Sequence, residues 1–527
     1  MGRGRIGSWC MSAALAILIC VQASNAQEHA HGALPAERLG SVHFPTSCHA
    51  DSAQFDRGVA LLHSFEFGAS IRAFNDVLAM DSTCAIAHWG IALSRWGNPM
   101  AAVNRTPTAL LPGRQAANAA TRLGSNATTR ERGYIDAVAR LYADYEHRSQ
   151  PTRVAAYEKA MADLVAQQPT DTEAKVFHAI ALVASASPAD KTYARQLAAG
   201  AILEGIWALK PDHPGLAHYI IHAYDAPPLA GRARNAAARY AQIAPSAAHA
   251  LHMPSHTFTR VGMWRESINT NLRSIAEASH SGALGEALHA SDYTTYAYLQ
   301  LRNDSAAKAI VDGLPAIAAR FDLNAVTGAA PAAAGVFALA AIPARYALER
   351  RDWTRAAALP AATTAFPYAD AQTHFARALG AAHTGAVPAA RASLDSLTAI
   401  GSRLAAQKED YWVEQVAIAR LGAEAWLAFT QGQRDDGVAK MREATAREDA
   451  TEKSAITPGP LAPARELLGD MLMEMGRPAD ALAEYQRTLA KEPNRYRSMY
   501  GAMSAAKAAG DPDTERKYAS AIAAMTR

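Results

Sequence analysis

The sequence predicts an all-α chain of antiparallel helix pairs stacked along its length, and three observations predict it. The 527 residues are 50% hydrophobic with only 7% aromatic residues. They are visibly rich in alanine, which suits many small helix–helix contacts better than one large core. Apolar residues recur at helical spacing through 130–147, 153–168 and 172–184, with prolines and glycines between the runs. A histidine pattern also repeats: His218 and His222 are followed 34 residues later by His252 and His256. Residues four apart share a helix face, so each pair marks one face of one helix.

The chain reads in order as follows. Arg3 and Arg5, the apolar run Met11–Val21 and Ser24-Asn25-Ala26 predict a signal peptide over 1–26, cleaved after Ala26 into the periplasm or medium. Residues 27–50 form a polar arm. A first helix pair follows from Asp51 to Ser82, and Asn104–Leu123 reads as a connection with one helix. The run 51–315 forms an N-terminal array ending in the histidine-bearing units, 316–461 a series of degenerate helical pairs, and 462–527 a final set of repeats. Gly328–Gly335 and Thr451–Pro463 are the expected breaks.

Removal of the signal takes two of the 52 basic residues and none of the 49 acidic ones, leaving a net charge of +1. Such a balance, without basic clusters, gives no support to nucleic-acid or anionic-membrane partners. No stretch after the signal is long and apolar enough to predict an integral membrane segment. Of the four cysteines, Cys48 and Cys84 remain after cleavage, and an oxidising compartment makes them a disulfide.

Several segments resemble the tetratricopeptide repeat (TPR). The first pair has Gly58, Leu61, Phe67, Ser70, Phe74 and Val77 at the family's places. The last part has Leu468, Gly469, Leu472, Gly476, Ala481, Tyr485 and Pro493. The spacing of 34 is the repeat's length. The resemblance implies a TPR-like, right-handed superhelical solenoid whose first helices line a concave groove, where a peptide or protein partner docks. It also implies which residues face that groove. With Gly262 as the turn glycine these are His249, His252 and His256, and by the same register Gly215, His218 and His222. Taking the next offset as 40, which lays RVGMWRES (260–267) on QLRNDSAA (300–307), adds His289, Asp292 and Tyr296.

Imidazole is the commonest protein ligand for zinc, copper, iron and nickel, and a carboxylate or phenol can complete such a shell. The expected site is therefore one transition-metal ion shared among His218, His222, His249, His252, His256, His289 and Asp292, with Asp225, Tyr293 and Tyr296 as supporting groups. Pro254 either kinks the helix carrying HALHMPSH or begins a new one. HExxH, the nucleophile elbow GxSxG, the phosphate loop and the Rossmann glycine pattern are all missing, so nothing identifies a catalytic nucleophile. Three readings follow: a metal-binding repeat protein with a peptide or protein partner, a metal-dependent hydrolase or oxidoreductase on the same scaffold, and a metal-free interaction scaffold.

Overall fold

The computed structural model describes Met1, residues 37–101 and residues 105–527; the expected signal sequence and most of the arm lie outside these. Arg38–Arg527 form one compact unit, and its regular structure among the described residues is entirely helical. The helices pair antiparallel, beginning with Ser52–His63 against Phe67–Met80 and ending with Tyr496–Ala509 against Pro512–Thr526. Local signals set their starts. The Asp51 carboxylate accepts the Ala53 N–H, Thr128 and Glu131 form a reciprocal capping box, and Pro214, Pro367, Pro478 and Pro512 occupy first-turn positions where their missing N–H is harmless.

The first and last repeats use one packing device. The ring of Phe74 lies between Gly58 and Gly90, where an added Cβ would stand 2.9 and 2.3 Å from it. Tyr485 lies between Gly469 and Gly501 in the same way, at 2.7 and 2.5 Å. A large ring thus fills the hollow that two glycines leave on flanking helices, which is the small–large pattern read at both ends of the chain. The Cys48–Cys84 disulfide closes the first pair, its Cα atoms 5.1 Å apart. The described end of the arm packs inward: Phe44 is buried with ring centroids 5.4, 5.4 and 5.1 Å from those of Phe55, Trp89 and Tyr134.

The histidine-bearing first helices are Pro214–Ala223, the pair Ala248–His252 and Pro254–Arg260, and Leu284–Gln300. Gly262 (φ +69°) and Arg302 (φ +60°) close two successive turns in the left-handed region, in agreement with the offset of 40. Only glycine fits at 262, since a Cβ there would lie 2.3 Å from the Pro493 carbonyl oxygen. Met253 keeps helical angles (φ −53°, ψ −35°) and a second helix starts at Pro254, so His249 and His252 are helical and His256 lies in the helix that follows.

Parts of both expected breaks lie against the histidines as straps, Ala330 and Pro331 and residues 454–456 lining one cavity with His222, His249, His256 and His289, while residues 332–335 open the next helix. The first, leading into the helix Ala332–Glu349, binds through Gly68 N–H to Thr327 O (2.8 Å), Asn98 Nδ2 to Ala329 O (3.3 Å) and Ala330 N–H to Glu286 Oε2 (3.0 Å). The second, Thr451–Pro463, accepts from Lys191 Nζ at Thr451 O (2.8 Å), from Tyr293 Oη at Thr457 O (3.1 Å) and from Arg345 at Gly459 O (3.3 Å) and Pro460 O (3.2 Å). At the histidines the groove is consequently filled by the chain itself. The helix Ala332–Glu349 is long and apolar enough to cross a membrane, yet its apolar window is 78% buried within this unit and it carries the hydrogen-bonded Arg345.

Candidate metal centre

All six predicted imidazoles are buried, the most exposed at 6%. They sort into two sets: His218, His222 and His249 offer ring nitrogens within 4.8 Å of one another, and so do His252, His256 and His289. Ring centroids across the boundary are 5.8 Å apart for His249–His252 and 6.2 Å for His222–His256, so the sets adjoin. Tandem repeats explain the pattern. Each helix face with histidines four apart supplies two rings, and the next first helix along the stack supplies the third.

The rings are oriented from behind. His218 Nδ1 donates to the His63 carbonyl (2.6 Å), His249 Nδ1 to Glu286 Oε1 (2.9 Å) and His256 Nδ1 to Asp225 Oδ2 (2.9 Å). Asn271 Nδ2 donates to Ser267 O (2.8 Å), which turns Asn271 Oδ1 toward His252 Nδ1 at 2.7 Å. Each acceptor fixes the hydrogen on Nδ1 and leaves Nε2 with a lone pair. The Nε2 atoms of His218, His222 and His249 are buried without a partner, as is Nδ1 of His289. His252 Nε2 and His256 Nε2 face each other at 3.0 Å.

The electrostatics favour neutral rings at His218, His222, His252, His256 and His289. Burial, followed by the neighbouring imidazoles, holds His218, His222 and His252 well below the ordinary histidine range. Burial also depresses His256 and brings His289 down to about 3, although Asp225 and Glu286 respectively oppose it. Neutral imidazole is the metal-binding form. Behind the first set, burial and then the neighbouring Glu286 push Glu66 up to about 8, while at Glu286 itself burial is outweighed by the hydrogen-bonded His249, which lowers the carboxyl. Behind the second, Lys453 and Arg260 overcome burial and hold Asp225 well below the carboxylate range.

Asp292 does not join the imidazoles. Its carboxylate is held by the buried Arg345 at 2.9 and 3.3 Å. Tyr296 is likewise engaged elsewhere, donating to Glu492 Oε2 (2.9 Å) and accepting from Arg495 (2.9 Å). Asp225 and Tyr293 do lie against the imidazoles: Asp225 accepts from His256 Nδ1, and the Tyr293 ring centroid lies 5.0 Å from that of His252 and 4.9 Å from that of His256. Sequence reasoning missed Asn271, Glu286 and a third buried cluster. In that cluster Glu173 joins His63 Nε2 (2.8 Å) and His213 Nε2 (2.9 Å). Tyr219 Oη lies 3.1 Å from the other nitrogen of His63, and this hydrogen-bonded network leads to the His63 carbonyl that anchors His218.

No family model and no curated protein matches the chain. Among solved structures it is similar to the human IFIT1 dimer with m7Gppp-AAAA (9% identity, 84% of this chain and 90% of that one, TM-score 0.37). It is also similar to yeast Tom70 (12% identity, 88% and 98%, TM-score 0.33) and to the P58(IPK) TPR domain (10% identity, 87% and 98%, TM-score 0.22).

Proposed function

We propose that this is an exported TPR-like protein that holds transition-metal ions in its buried histidine core, with one ion for each set of three imidazoles. The observation that carries the reading is the shared orientation of the rings: four Nδ1 atoms are anchored outward on acceptors and unpartnered lone pairs converge inward. Between His252 and His256 the two Nε2 atoms face each other at 3.0 Å, and with both Nδ1 atoms protonated their lone pairs oppose each other, an arrangement that a shared metal ion would relieve. Uncompensated buried nitrogens cost about 1 to 3 kcal/mol each, so a core holding several of them needs a stabilising ligand. An all-imidazole donor set suits zinc, copper, iron or nickel and not magnesium or calcium, which prefer oxygen. When bound, such an ion supplies Lewis acidity or, for copper and iron, redox chemistry.

The chain's own part is to keep the rings neutral, fix their tautomers and shield the centre. The disulfide and the predicted signal support export to an oxidising compartment. A peptide or protein partner of the kind the fold accommodates would dock away from the histidines, because the two straps occupy that part of the groove.

Elemental analysis of protein purified without chelators, or refolded with excess zinc, copper or iron, tests the reading. Two equivalents are expected, falling to one in His252→Ala/His256→Ala and in His218→Ala/His222→Ala. Metal well below one equivalent in the wild type leaves only a metal-free scaffold.

A further inference from the structure

Between the two histidine sets and the straps lies a small chamber whose wall includes His222 and His249 from one set and His256 and His289 from the other. The rest of the wall is mostly apolar, including Ala334 on the helix behind the first strap and Ile456 on the second. Among the described residues no lysine or arginine lines it. Its interior offers about 30 Å³ to the centre of a water-sized sphere. A single water needs about 10 to 15 Å³ of such space, so the chamber admits a molecule of two or three heavy atoms and excludes a peptide or a sugar.

We propose that this chamber is the binding place of a small neutral molecule, diatomic in size, that enters between the straps and meets both metal-bearing histidine sets at once. The proposal rests on the metal reading and goes beyond it by naming the class of ligand. Size selects against organic substrates, and the mostly apolar remainder of the wall suits a small molecule without a charge of its own. Placement does the rest: a molecule in the chamber is flanked by two imidazoles of each set, so neither set alone defines its position. The straps that keep peptides away from the histidines are, on this reading, the walls of a filter.

The test uses the full-length protein loaded with copper(I) and exposed to carbon monoxide, with infrared spectroscopy for the carbonyl stretch and elemental analysis on the same sample. The wild type is expected to carry copper and show a carbonyl band. Ile456→Trp and Ala334→Phe, which fill the chamber, are expected to keep the copper and lose the band. The strap variant Ile456→Trp decides the matter if the helix variant Ala334→Phe does not fold. A fully copper-loaded wild type without a band overturns the proposal, and so do chamber-filling variants that retain copper and bind carbon monoxide as the wild type does. A wild type that takes up no copper fails at the elemental analysis instead, which marks the metal reading as the part at fault.

Discussion

Replacing Asn271 with leucine isolates what the groups behind the imidazoles contribute. Asn271 Oδ1 is the acceptor that fixes His252 Nδ1–H, and its Nδ2 is committed to Ser267 O. Leucine conserves the volume and deletes both functions. His252 then lacks the acceptor that set its tautomer, and its ring can present N–H instead of a lone pair to His256. Outer acceptors of metal-binding histidines are worth about 10- to 100-fold in affinity, which is about 1.4 to 2.7 kcal/mol. The metal-free protein should also lose about 1 to 3 kcal/mol, because His252 Nδ1 stays buried without a partner. Competition against a chromophoric chelator resolves the equivalents. One of the two should weaken by that factor while the other, held by His218, His222 and His249, should not, since no hydrogen bond joins Asn271 to that set. Equal weakening of both equivalents, or of neither, would refute the assignment of separate sets with separate anchors.

Asp292→Asn should leave two equivalents of metal in place yet destabilise the fold by about 3 to 5 kcal/mol, because it breaks a buried ion pair with Arg345; a lost equivalent would return Asp292 to the coordination shell. Cys48→Ser/Cys84→Ser opens a loop with a sequence separation of 36 and should lower stability by about 4 kcal/mol, read from the denaturant midpoint. His383 is stacked on Trp353 at 3.8 Å and lies 4.2 Å from Trp426, and burial, then Arg351, depresses it from 6.5 to about 4. The unfolded chain therefore binds a proton that the native state refuses: the stability is complete above pH 6.5 and is lost as pH falls toward 4, by up to about 3 kcal/mol. In His383→Phe the acid-side slope of the melting temperature should flatten, and an unchanged slope would clear His383 of the effect.

Much of the centre was legible because repetition is a property of sequence. The offsets of 34 and 40 placed six histidines on three neighbouring first helices, and all six are in the core. Their division into two sets was not legible, since it depends on the helix start at Pro254 and on how far each helix is rotated about its axis. Asp292 shows the limit. Taking about 100° per residue, it lies some 60° to one side of His289 and Tyr293 some 40° to the other, so a small rotation decides which of them meets the imidazoles. Tyr296 lies about 10 Å farther along the same helix, where it meets Arg495 and Glu492 instead. The glycines and prolines of 451–463 correctly signalled an interruption; those of 328–335 did so only as far as Pro331, because residues 332–335 form the first turn of a helix. Composition does not say where an interruption travels, and both of these fold back over the histidines.

The order of the parts along the chain gives the second strap a temporal role. All six imidazoles precede residue 290, whereas Thr451–Pro463 comes more than 160 residues later. A polypeptide emerging amino-end first therefore exposes every ligand before the piece that covers them exists. If the histidines hold the proposed ions, charging is easiest in that interval, and once the carboxyl-terminal repeats have docked, release would require peeling them back. A chain cut before residue 451 should exchange metal quickly with its surroundings, and the intact one slowly.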